Sequence, residues 1–203
     1  MSRALGTFVA IEGVDAVGKR TQTSRLKSSL QERGLSTRTL SFPAYETAIG
    51  KEIKRFLSGK LSYPPQVRAM LYAANRWEKK AELEDMLSTT DVVIVDRYLG
   101  SNYAYGISGG LELDWLMALE SGLPTPDLTL VLDASPVELA PRRETKDAYE
   151  RNLHFQAEAR RAYIDLARKF GWTIVDANRG IDETAETVRV AVARALEAKG
   201  RTV

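Results

Sequence analysis

The chain has 203 residues, 44% hydrophobic and 28% charged, which suits one globular domain, 1–203, with room for a small mobile insertion. Its 29 basic and 27 acidic residues leave a net charge of +2, too even for bulk attraction to nucleic acid or membrane, so neither is an expected partner and any anion site must be built locally. With no cysteine and one histidine, His154, disulfides, thiolate metal sites and multi-histidine metal sites are excluded, and the apolar stretch 7–11 is too short for a signal or a membrane span, so the expected location is cytoplasmic.

In chain order, the β-branched run 8–11 predicts a strand, followed by a glycine-bearing loop and a helix over 18–33. A strand over 37–42 leads to helical patterns over 47–57 and 64–87. In the second of these, Val67, Met70, Leu71, Ala74, Trp77 and Ala81 share one face at a 3.6-residue period. The unbroken apolar run 92–95 predicts a buried strand ending at Asp96. A helix over 112–121, a strand over 128–132, helices over 136–143 and 149–170, a strand over 172–175 and a helix over 182–199 complete the chain. Alternating strands and helices, several strands being apolar throughout, predict an α/β fold with a five-stranded parallel sheet flanked by helices. The charged stretch from Arg142 to Asp147 breaks the pattern and reads either as a solvated loop or as a functional one.

Gly13-Val14-Asp15-Ala16-Val17-Gly18-Lys19 has the spacing of a phosphate-binding loop, between a strand and a helix as that motif requires. Its main-chain N–H groups and the helix N-terminus attract phosphate, and Lys19 adds a mobile charge. The position after the lysine, usually Ser or Thr for Mg²⁺, is Arg20, with Thr21 next. A shift of one residue turns a side chain by about 100° around the helix axis, so metal coordination is less plain here than phosphate binding. Asp96, at the carboxyl edge of its strand, fits the acidic partner of such a loop, and Arg97 beside it can grip a second phosphate bidentately. Taken alone, Tyr72 reads as core and Asn102 and Tyr105 as surface. Trp77 is assigned to packing, Trp115 and Trp172 to the core, and His154 to a helix surface.

The segments Glu12 to Asp15 with Lys19, Phe42-Pro43, Ala74 to Glu78, Asp96-Arg97-Tyr98, Ser101-Asn102, Leu123 to Leu128 and Tyr149-Glu150-Arg151 together resemble the thymidylate kinase (dTMP kinase) family over nearly the whole length. Some bacterial members of that family carry Lys-Arg-Thr at the same place in the loop. The resemblance implies a P-loop nucleoside-monophosphate kinase fold with a short mobile lid at about 141–152. The implied activity is Mg²⁺-dependent transfer of phosphate from ATP to dTMP, a step of dTTP synthesis, in a homodimer. It further implies that ATP meets residues 13–21 and that Arg97 holds the acceptor's phosphate. Asp15 would face the acceptor's 3′-hydroxyl and, with Asp96, the Mg²⁺ shell. Tyr72 would stack on the pyrimidine, and Arg76 and Asn102 would read its edge. Tyr105 would crowd the ribose 2′ position, while Phe42, Tyr45, Ser101 and Tyr149 complete the pocket.

Because Ala16 follows Asp15, the catalytic arginine must come from outside the loop. Arg142 and Arg143 are the suppliers that the lid-arginine subtype, common among bacterial members, implies. The nucleophile is an already ionised phosphate oxygen, so no general base is needed. Two alternatives remain open at this point: a deoxynucleoside kinase using Glu12 as base, and a non-catalytic nucleotide-binding domain.

Overall fold

The computed structural model describes residues 5–135, Leu139 and 153–200. Its sheet has the order β2-β3-β1-β4-β5, all parallel, with β1 Thr7–Glu12, β2 Thr37–Ser41, β3 Val92–Asp96, β4 Leu128–Asp133 and β5 Thr173–Asp176. This agrees with the expected class and strand count.

Both faces of the central strands are covered, which is why β1 and β3 read as nearly unbroken apolar runs. Val9, Ile11, Val92 and Ile94 pack with Leu26 and Leu30 of α1 (Lys19–Glu32) and with Val188, Val192 and Leu196 of α8 (Ile181–Ala198). Phe8, Ala10, Val93 and Val95 pack with Leu83, Met86 and Leu87 of α4 (Lys80–Thr89). The strand order reverses around β1, whose neighbours are β3 and β4, and the crevice for ligands in such sheets opens beyond the carboxyl ends there.

Two elements differ from the sequence expectation. The predicted helix over 64–87 is two helices, α3 (Pro65–Glu78) and α4, broken at Lys79 with φ −100° and ψ 3°. No Gly or Pro marks the break. It lets α3 pack on α2 (Ala48–Leu57), α5 (Leu99–Ser108) and α6 (Leu113–Glu120), while α4 covers β3. The face of α3 that meets the core is therefore Ala69, Ala73 and Arg76, and the apolar stripe read from sequence is only half-covered, with Met70 47% and Trp77 41% exposed. Trp77 packs on one side only, donating its indole N–H to the Leu119 carbonyl.

The second difference is α5, a helix that the sequence reading passed over because Gly100, Ser101, Asn102, Gly106 and Ser108 are weak helix formers. The glycines are there for closeness. A Cβ at Gly100 would come within 2.9 Å of the Glu12 carboxylate, and one at Gly106 within 2.6 Å of Leu116. The last long helix before β5, α7 (Leu153–Phe170), agrees over the described residues with the helix expected over 149–170; its expected start lies outside them, as does the predicted helix over 136–143 apart from Leu139. Trp115 and Trp172, expected in the core, are only half-buried against it, while His154 is exposed on α7 beside Glu158, as expected.

Gly106→Ala separates propensity from packing. Alanine should gain about 1 kcal/mol of helix propensity, yet its methyl meets Leu116, which is fully buried and has nowhere to go. A net loss of about 1–3 kcal/mol is expected in a urea titration; an unchanged or raised midpoint would show that α5 does not sit this close.

Candidate active site

The phosphate loop and Arg97 meet because β1 and β3 are neighbours in register, Ile11 beside Asp96. Gly13 has φ +135°, and a Cβ there would lie 2.4 Å from the Leu132 carbonyl oxygen, so only glycine fits where the loop leaves β1. Arg97 is a non-glycine residue at φ +64°. Its conformation is held from both sides: its own N–H donates to the Ile11 carbonyl at 2.9 Å, and the next N–H, of Tyr98, donates to Glu12 Oε1 at 2.8 Å. Such backbone strain persists where surrounding contacts over-determine it, and it clusters at functional sites.

The Arg97 guanidinium points at the loop. It pairs with Asp15 through Nη2, and Nη1 donates to the Gly13 carbonyl at 3.1 Å and to Ser101 Oγ at 3.3 Å. It also lies over the Tyr105 ring, 5.7 Å from the centroid. Asp15 accepts two further hydrogen bonds, each 2.9 Å, from the Tyr105 hydroxyl and from Gln156 Nε2 of α7. Burial by itself pushes the Asp15 carboxyl up, but the Arg97 and Lys19 charges outweigh it and bring its pKa below the ordinary value. Lys19 is 7% exposed and donates from Nζ to the Val14 carbonyl at 2.7 Å. Desolvation, then the nearby Arg97 charge, bring its pKa down to about 8 against the pull of Asp15, Asp96 and Glu12.

Two spaces meet at this cluster. One pocket is lined by Asp15, Phe42, Tyr45, Tyr72, Arg76, Arg97, Ser101, Asn102 and Tyr105, with Pro43 and Leu57 as additions that the sequence did not single out. Every acceptor-site candidate among the described residues thus lines one cavity. Asn102, at 4% exposure, and half-buried Tyr105 are not the surface residues that they appear to be in isolation, and Tyr72 is half-buried against the cavity rather than in the core. The second space is an open cleft bordered by Ala16, Gly18, Lys19, Arg20 and Asp96, and it shares Phe42, Pro43, Tyr45 and Arg97 with the first. The peptide bond between Phe42 and Pro43 is cis. Val14 and Val17 are buried in the core under the loop, and Thr21 is exposed on α1. Arg142, Arg143 and Tyr149 lie outside the described residues.

Glu12 cannot be the base that a nucleoside kinase needs. It is fully buried, and its carboxylate accepts from the Tyr98 N–H, from Ser101 Oγ at 2.7 Å and from the Tyr163 hydroxyl at 3.2 Å. A metal has a different opening. No cluster of three or more His, Asp or Glu residues suited to a metal occurs among the described residues. However, Asp96 Oδ1 is buried without a hydrogen-bond partner among them, at the edge of the loop cleft. A lone carboxylate beside a phosphate site fits Mg²⁺, which keeps waters and shares phosphate oxygens.

Other members of the site left little trace in the sequence. Gln156 reaches Asp15 from a helix 141 positions away, and Glu120 ends α6, where it pairs with Arg76. Neither belongs to a recognisable motif.

Comparison with known proteins places these residues in context. A family model described as thymidylate kinase matches residues 11–188. The chain is 34% identical to the thymidylate kinase of Dictyostelium discoideum (90% of this chain, 83% of that one) and 33% identical to that of Homo sapiens (94% and 91%). Among solved structures, thymidylate kinase from Candida albicans superposes with a TM-score of 0.81 at 30% identity, over 98% of this chain and 94% of that one.

Lys19 generates a pH prediction. A lysine must be protonated to hold phosphate, and in the free protein this one gives up its proton near pH 8. ATP affinity measured by calorimetry should therefore decline through about that pH, and Lys19→Arg, always charged, should remove the decline. A flat wild-type profile through the alkaline range would contradict the assignment.

Proposed function

The chain belongs to the thymidylate kinase family, and on that footing we propose that it transfers the γ-phosphoryl group of ATP to dTMP, giving dTDP and ADP. The observation that carries this reading is the shared guanidinium: Arg97 borders both the loop cleft and the cavity that gathers the acceptor residues. A donor triphosphate on the loop and an acceptor monophosphate in the cavity would then meet at one place, where positioning and charge neutralisation supply the catalysis.

In this reading Lys19 and the loop N–H groups hold the β- and γ-phosphates, and Arg97 holds the acceptor's phosphate with its attacking oxygen turned toward the loop. Tyr72 stacks on the pyrimidine, and Arg76 and Asn102 meet its polar edge. Tyr105 stands against the ribose. Asp15 exchanges its present partners for the bound nucleotides. Mg²⁺, when bound with ATP, would neutralise the transferring charge, with Asp96 the residue best suited to hold it and Asp15 the second candidate. Arg142 and Arg143 are proposed as the cations that close over the transferring group, since the loop offers none at Ala16. No side chain need act as a base, because the nucleophile is ionised at neutral pH.

The proposed homodimer finds support in exposed apolar side chains on α3, where Met70 and Trp77, two turns apart on one face, are 47% and 41% exposed. Cytoplasmic action belongs to the same proposal.

The test is ADP release with ATP and one acceptor at a time. Turnover with dTMP should exceed that with thymidine, or with no acceptor, by at least about 10³-fold, in line with the worth of a positioned reactant. Turnover of thymidine with none of dTMP would overturn the reading in favour of a nucleoside kinase. ATP binding without acceptor-dependent release would favour a non-catalytic domain.

A further inference from the structure

One wall of the acceptor cavity rests on three buried side chains from three helices: Arg76 of α3, Asn102 of α5 and Glu120 of α6, each between 3% and 4% exposed. Glu120 is the hub. It accepts from Arg76 Nε at 3.0 Å and from Arg76 Nη2 in a bidentate pair, and its Oε1 also accepts from Asn102 Nδ2 at 2.6 Å. Asn102 Nδ2 makes its other hydrogen bond to the Ala69 carbonyl at 3.3 Å.

The orientation of an asparagine amide is decided by its partners, and here the partners leave one choice. A main-chain carbonyl and a carboxylate already gripped by a guanidinium can only accept. Turning the amide over would set its oxygen against two other oxygens in a buried site, a costly arrangement. Both N–H groups of Asn102 are thereby spent on the protein, and Oδ1 is what the residue offers to the cavity that it lines. Arg76, lining the same cavity, has only donors to offer. The base end of the cavity thus presents one donor and one acceptor, in an order set by Glu120.

We propose that Glu120 is a specificity-positioning residue: acting through Arg76 and Asn102, it fixes the hydrogen-bond polarity of the pocket so that a 4-oxo-pyrimidine fits and a 4-amino-pyrimidine does not. A 4-oxo ring carries an acceptor, O4, next to a donor, N3–H, which complements Arg76 and Asn102. A 4-amino ring carries the reverse pattern and meets both groups with like against like. The inference rests on the proposed function, since it concerns the acceptor nucleotide of that reaction. It explains why an acid lies buried at the end of α6, a place where its charge has no contact with the phosphates.

Glutamine at position 120 keeps the volume but can present a donor to Asn102, which removes the stronger of the two constraints on the amide and leaves only the longer one, to the Ala69 carbonyl. Wild-type enzyme should favour dTMP over dCMP in kcat/KM by on the order of 10²-fold or more. Glu120→Gln should narrow that ratio at least about tenfold, chiefly through the two KM values. A loss shared equally by both nucleotides, leaving the ratio unchanged, would mean that Glu120 only braces the fold and would overturn the proposal. Should the variant not fold, the wild-type enzyme decides. N3-methyl-dTMP carries a methyl group in place of the N3–H, and binding of it or of dCMP within threefold of dTMP would also overturn the proposal. Absence of wild-type turnover with dTMP would instead overturn the functional reading itself, so the two failures are distinguishable.

Discussion

Arg97 and Lys19 bring two positive charges into one partly buried corner of the sheet edge, and the structure depends on how that repulsion is contained. Buried charge is tolerated only when paired, and Asp15 is the counter-charge. It takes the Arg97 guanidinium, lies close enough to lower its own pKa through both cations, and is steadied by Tyr105 and Gln156. In effect a carboxylate of the protein balances the two cations where, under the proposed function, phosphate oxygens would do so. The site is thereby kept assembled but not satisfied: Lys19 turns back on its own loop and keeps a lowered pKa, and Asp96 has one buried oxygen unmatched among the described residues.

Holding Arg97 at that spot costs backbone strain, and the fold meets the cost with a second buried acid. Glu12, at the end of β1, receives the Tyr98 N–H and so pins the turn after β3. Through Ser101 it also reaches the hydroxyl on which Arg97 Nη1 rests. Glycine at position 100 allows α5 to press against that carboxylate. Glu12 and Glu120 both meet the first half of α5, at Gly100 and at Asn102, and each limits the choices of its neighbours: Glu12 pins the turn that carries Arg97, and Glu120 fixes the Arg76 and Asn102 side chains.

How much of this the sequence disclosed follows from the range of each interaction. The loop, Asp96 and Arg97 were legible because they are contiguous, and their chemistry is written in a short window. The central strands were legible because burial on both faces leaves no polar alternation to confuse them. α5 was missed because its helix is sustained by close packing of Gly100 and Gly106 against Glu12 and Leu116, partners distant in the sequence. The break at Lys79 left no sign because a change of helix direction there needs no special residue. The stripe from Val67 to Trp77 misled for a related reason: apolar periodicity marks a face that avoids water, and here that face is only half-covered by the chain itself. Tyr72, Asn102 and Tyr105 gained a role only through family resemblance, and the fold explains why, since they converge from α3 and α5 onto Arg97, which follows β3. Glu12 appeared in the loop segment but with the wrong chemistry attached, while Glu120 and Gln156 gave no signal because their partners lie tens of residues away or more.

The central claim is that Arg97 reads the acceptor's phosphate, and a pair of binding isotherms tests it without turnover. In the wild type, dTMP should bind at least about 10²-fold more tightly than thymidine, since a phosphate held by a guanidinium makes strong charge-assisted hydrogen bonds. In Arg97→Ala that advantage should fall to within a few-fold, while thymidine binds about as before. If the variant keeps the full preference for dTMP over thymidine, Arg97 is not the phosphate anchor and the account fails.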